Sequence, residues 1–195
     1  LAWAQTLTDP QERGAALSEV FGEMSRANPL HASSLALGQL TGDAQLTAMG
    51  TIARRWVRTD PTSATSWASR LPAGPIRDGA HSNLMSSWAE RDLVQAGTYL
   101  NSMAAGSTRD SAIIGYSGKA AAIDPMGAAM WAASIGEPAK REITVASVVE
   151  RWRSQNPAEA EAWLAQATTI SPEAKARILQ RNVQVSSQLI RSFSE

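Results

Sequence analysis

An Asp or Asn recurs in this chain at Asn28, Asp60, Asp92, Asp124 and Asn156, a constant step of 32 residues that no insertion disturbs. Proline follows four of the five, at Pro29, Pro61, Pro125 and Pro157. Four residues after each opening stands an alanine (Ala32, Ala64, Ala96, Ala128, Ala160), and three further on a large residue (Leu35, Trp67, Tyr99, Trp131, Trp163). Later columns keep the same step: Arg77, Arg109 and Arg141; Ala48, Ala80, Ala112 and Ala176; Ile52, Leu84, Tyr116 and Val148; Trp56, Trp88 and Trp152. Counted backwards, the register takes in Trp3, Leu7, Arg13, Ala16 and Val20, so the sequence is expected to begin inside a unit. A period of this length marks stacked supersecondary units, none of which buries its apolar face alone.

The contents of a unit decide its class. Asp/Asn-Pro opens a helix, because the side-chain oxygen accepts from unpaired backbone N–H groups and proline fits the first helical position. Alanine at the fourth place, the aromatic at the seventh and Leu71, Met103 or Ile135 at the eleventh follow helical spacing and define a first helix of about three turns. Turn residues then interrupt it at Leu71 to Pro75, Ala105 to Ser107 and Gly136 to Pro138. Arg77, Ala80, Leu84 and Trp88 mark a second helix. The predicted fold class is all-α: an α-solenoid of about six helical hairpins. It is read as one repeat domain over 1-195, in units 1-27 (truncated), 28-59, 60-91, 92-123, 124-155 and 156-187, with 188-195 as a C-terminal cap.

Trp56 to Trp67, Trp88 to Tyr99 and Trp152 to Trp163 are each 11 residues apart, one ending a second helix and the other lying on the next first helix. The reading pairs them at the junctions, with alanines letting helices approach beside them. A ligand cage or carbohydrate platform is the rival account of such a stripe, and packing is the plainer one. Gly115 and Gly118 fall inside the second helix of the unit 92-123, where each costs about 1 kcal/mol relative to alanine, so this hairpin is expected to be the least stable and to hold the kink. After Ile178 the register fails, and Val183, Leu189, Ile190 and Phe193 predict a longer closing helix.

The run from Asn156 to Trp163, and its echo from Asp60 to Trp67, resembles the start of a tetratricopeptide repeat; Ala80 with Leu84, and Ala112 with Tyr116, are similar to that family's second-helix positions. The family's usual period is about 34 residues, and other helical-hairpin repeats share the pattern. What the resemblance implies is a right-handed superhelix whose first helices line a groove that binds a peptide or a partner protein. The residues it would present are Arg70 with Ser63 and Ser66; Gln95, Thr98 and Asn101; and Met126 and Met130, the groove being centred on the units from Asp92 and Asp124.

Composition narrows the partners. The 18 basic and 18 acidic residues are spread without long runs, which argues against a nucleic-acid partner, since phosphate neutralisation needs clustered Lys and Arg. There is no cysteine, so disulfides, thiolate metal sites and cysteine nucleophiles are excluded. No apolar run nears the roughly 20 residues of a membrane span, so no membrane insertion is expected. His31 and His81 sit in different units with no second histidine or cysteine near either, so a metal site would need carboxylate help, and both read as surface or packing residues. Gly115 to Lys119 lacks phosphate-loop spacing, and no serine lies in a G-x-S-x-G elbow. No catalysis, cofactor or metal is expected. The suggestive polar feature is the column Arg13, Arg77, Arg109 and Arg141, with Asp78, Asp110 and Glu142 after the last three and Gln45 and Glu173 interrupting it. Its guanidinium groups suit carboxylates or phosphates; the plainer account has them bonding carbonyls at the end of the first helix or an acidic neighbour. The expected function is a protein-binding scaffold, with a spacer or self-associating segment as the rival and a nucleic-acid-binding repeat as the third reading.

Overall fold

Every regular element of the structure, a computed structural model that describes residues 2–180, is helical. In order these are α1 (Ala2–Thr6), α2 (Pro10–Ala27), α3 (Pro29–Gln39), α4 (Gly42–Trp56), α5 (Pro61–Arg70), α6 (Pro75–Ala89), α7 (Leu93–Ser102), α8 (Ser107–Ala120), α9 (Pro125–Ala133), α10 (Pro138–Arg153) and α11 (Pro157–Gln166). Helical backbone resumes over 172–180, and no strand occurs among the described residues. The chain is all-α, as its periodicity predicts. The closing helix expected from Val183, Leu189, Ile190 and Phe193 lies outside the described residues.

The Asp/Asn column sets the boundaries with three polar groups per residue. The backbone N–H of Asn28, Asp60, Asp92, Asp124 and Asn156 donates to the carbonyl four residues back, at 2.8 to 2.9 Å, and so closes the preceding helix. The side-chain oxygen accepts the N–H three residues on, from His31, Ser63, Gln95 and Gly127 at 2.9 Å and from Glu159 at 3.3 Å. The carbonyl accepts from the alanine four residues on, which begins the next helical ladder. Removing such a side chain, as in Asp92→Ala, costs about 1 kcal/mol. At the other end of the hairpins, Gly74 and Gly106 turn the chain with φ of +131° and +148°, values that side chains rarely adopt.

These boundaries aim the columns inward. Ala32, Ala64, Ala96, Ala128 and Ala160 are wholly buried, as are the second-helix residues Ala48, Ile52, Leu84 and Ala112. The expected aromatic pairs form, with ring centroids 5.4 Å apart for Trp56 and Trp67, 5.8 Å for Trp88 and Tyr99, and 6.2 Å for Trp152 and Trp163. Tilted pairs of this kind add about 0.5–1.5 kcal/mol beyond their burial. Ala176 departs from its column: it is exposed, and Ala174 and Ile178 are buried instead. The cause is Ser171, whose hydroxyl oxygen accepts the Ala174 N–H and so starts the last helix in a different register.

The chain divides into two compact units, one through Tyr116 and the other from Ser117 onward. In the first, each second helix packs on the next, α2 on α4 and α4 on α6. The crossings repeat at a step of 33 residues: Ser18 meets Thr51 at 3.4 Å, Gly50 faces Asn83, and Gly115 faces Ser82. In the second unit α10 packs on α9 and α11.

Gly115 thereby has a packing role beside its cost in helix propensity. The span of α8 includes it, and a Cβ there would lie 1.9 Å from the Ser82 carbonyl oxygen. The absent side chain is what lets α8 touch the backbone of α6. Gly118 meets nothing within 4 Å. Opposite signs follow for one substitution: Gly115→Ala is expected to lose about 1–3 kcal/mol through overpacking, and Gly118→Ala to gain about 0.5–1 kcal/mol from helix propensity. Urea midpoints of the two variants measure both.

Candidate functional site

A cleft of about 560 Å³ opens in the first unit at the turn edge of consecutive hairpins, within the size range of small-ligand sites. Its walls are Ser69 near the end of α5, Arg77 and His81 on α6, Tyr99 and Ser102 on α7, the turn from Met103 to Gly106, and the first residues of α8 through Arg109.

The polar groups are ordered by their own hydrogen bonds. His81 Nδ1 lies 2.9 Å from the Arg77 carbonyl, which only accepts, so Nδ1 carries the proton and Nε2 is an acceptor. Tyr99 then donates its hydroxyl to Nε2 across 3.3 Å. Ser69 Oγ gives its proton to the Thr65 carbonyl at 2.9 Å and lies 3.5 Å from the Tyr99 oxygen. On the opposite wall Arg77 Nε donates to Thr108 Oγ1 at 3.2 Å, and Thr108 passes its own proton to Asp78 at 2.6 Å. Burial pushes the His81 imidazole below its ordinary value of 6.5, and the Arg77 charge adds to that, against the opposing pull of the Arg77 carbonyl and Asp78. The ring is 1% exposed and neutral at pH 7.

The site residues read from the sequence fall into separate groups. Arg77 and Arg109 share the cleft. Arg70 is exposed and donates to Ser66 on its own helix; Gln95, Thr98 and Asn101 are exposed along α7, Thr98 bonded to the Val94 carbonyl. Met126 and Met130 are exposed on α9. Arg141 donates to the Ile135 carbonyl at 2.9 Å, and Arg13 to those of Leu7 and Thr8 at 2.9 and 3.1 Å, so these two arginines bond the carbonyls at the end of the first helix. Gln45 does the same in its hairpin, donating to the Leu40 carbonyl at 2.7 Å.

Sequence reasoning assigned Tyr99 to packing and gave His81 no particular role, yet both carry a signal in the repeat. His81 occupies the register of Leu17, Met49, Ile113 and Val145, all buried apolar residues, and Tyr99 stands where Trp67, Trp131 and Trp163 stand. A phenol and an imidazole introduced together into apolar columns are mutual partners. Trp67, at the Tyr99 position one hairpin earlier, donates instead to Ser33 at 2.9 Å.

Among the described residues no three His, Asp or Glu gather as metal ligands, and no helix is long and apolar enough to cross a membrane. No protein-family model, curated protein or solved structure matches this chain.

The buried imidazole makes stability pH-dependent with a definite sign. Its folded value is below the unfolded one, so its contribution is complete above 6.5; as pH falls through 6.5 the unfolded chain binds a proton that the folded chain refuses, and stability declines until the folded value is reached. The charges facing the ring are Arg77 and Asp78 on α6 and, across the cleft, Arg109. Denaturant titrations between neutral and mildly acidic pH are expected to show this decline, with a slope no steeper than about 1.4 kcal/mol per pH unit for one proton. His81→Gln is expected to remove that component of the slope.

Proposed function

We propose that this chain is a non-catalytic scaffold of the tetratricopeptide-like kind, a right-handed α-solenoid that binds a peptide or a partner protein. The observation that carries this reading is on α9 and the residue before its cap. Ile123, Met126 and Met130 are 66%, 50% and 62% exposed, while Ala128, Ala129 and Ala132 of the same helix are wholly buried. Met126 and Met130, four residues apart, share one face of α9, and Ile123 stands just before its cap. Methionine is flexible and polarizable, which suits a surface that adapts to an apolar partner. The even charge balance favours a protein partner over a polyanion.

Affinity purification of wild type and Met130→Glu, followed by mass spectrometry, tests the reading. The expected outcome is a partner held by the wild type and lost by the variant, with unfolding free energy unchanged within about 0.5 kcal/mol, as for other surface substitutions. Equal capture by the variant overturns the α9 contact. Concentration-dependent association of the chain with itself, and no other protein recovered, assigns it instead to the spacer reading.

A further inference from the structure

We propose that the Arg77 cleft is a binding site for a carboxylate attached to a small apolar group and an amide N–H, the chemistry shared by a peptide C-terminus and an N-acylated amino acid. The inference is independent of whether α9 carries a partner. It starts from the divergence within one column. Arg13 and Arg141, and Gln45 in the same register, turn back onto carbonyls of their own hairpin. Arg77 instead turns to the neighbouring hairpin, where Thr108 accepts from Nε and is itself held by Asp78. That relay fixes the guanidinium by one edge. Its two terminal NH₂ groups have no hydrogen-bond partner among the described residues, and the side chain lines the cleft. An oriented guanidinium with both terminal nitrogens open is matched by the two oxygens of a carboxylate.

The rest of the cleft agrees in sign and shape. Arg77 and Arg109 line it, no Asp or Glu does, and His81 is neutral. The first turn of α8 adds the partial positive charge of a helix start. Tyr99 and Ser69 have given their protons to His81 and Thr65, so both offer oxygen lone pairs, which suit an amide N–H next to the carboxylate. Met103, Ala104 and Ala105 supply an apolar wall for the side chain. The site combines residues of the first helices α5 and α7, the turn after α7 and the starts of the second helices α6 and α8.

The test is an NMR titration of the ¹⁵N-labelled protein with N-acetylvaline and with its neutral counterpart N-acetylvalinamide. Saturable shifts at the amides of Tyr99 and of residues 106–109 are expected with the acid and not with the amide. Arg77→Gln and Arg77→Lys are expected to weaken binding roughly tenfold or more, the effect of losing charge-assisted hydrogen bonds, and Met130→Glu to leave it unchanged. A tetrapeptide ending in valine, compared with its C-terminal amide, separates the sources: tighter binding than N-acetylvaline identifies a peptide end, and equal or weaker binding a small acid. The proposal is overturned if N-acetylvaline shifts nothing, or if acid and amide act alike, a comparison that needs no variant to fold. It is also overturned if Arg77→Gln keeps a wild-type spectrum and binds as tightly.

Discussion

The structure depends on one residue serving two helices. An α-helix leaves four N–H groups unpaired at its start and four carbonyls at its end, and where one helix follows another within a few residues both deficits meet. The Asp or Asn at each junction answers both, its N–H turned back to the finished helix and its side-chain oxygen turned forward to the new one. The reversal places the aromatic that ends one helix against the aromatic two turns into the next, and the pairs Trp56–Trp67, Trp88–Tyr99 and Trp152–Trp163 follow from it. Alanines wholly buried between them then set how closely the helices lie.

What was legible in the sequence was whatever acts within one hairpin or recurs at a fixed step. Caps, the first-helix alanine column and the aromatic interval are of that kind, and each is found where the period puts it. The close contact at Gly115 was not legible because helix propensity concerns a helix alone, while a Cβ there would meet the Ser82 carbonyl on another helix, 33 residues earlier. Ala176 was misread because a single hydroxyl, that of Ser171, started a helix out of step. The arginines of the column looked alike in sequence, yet Arg77 differs from Arg13 and Arg141 through Thr108, which belongs to the next hairpin.

The cleft illustrates how a repeat acquires chemistry. Its special residues are departures from columns: an imidazole among Leu17, Met49, Ile113 and Val145, and a phenol among Leu35, Trp67, Trp131 and Trp163. A buried polar side chain destabilises unless it is bonded, and here the two departures satisfy each other, the phenol donating and the imidazole accepting. One hairpin edge thus gains ordered acceptors beside a guanidinium, while the alanines and glycines of the shared framework are kept.

The dual cap also bears on how such a chain changes in length. Because each seam between hairpins ends on a residue whose three polar groups are all engaged, a stretch running from one Asp or Asn to the next carries the closure of its neighbour and its own beginning. Copying or deleting that stretch whole leaves no backbone group unpaired at the join, whereas a one-residue insertion at the seam opens two helices at once. Growth of the array by whole cassettes is therefore built into its smallest joint.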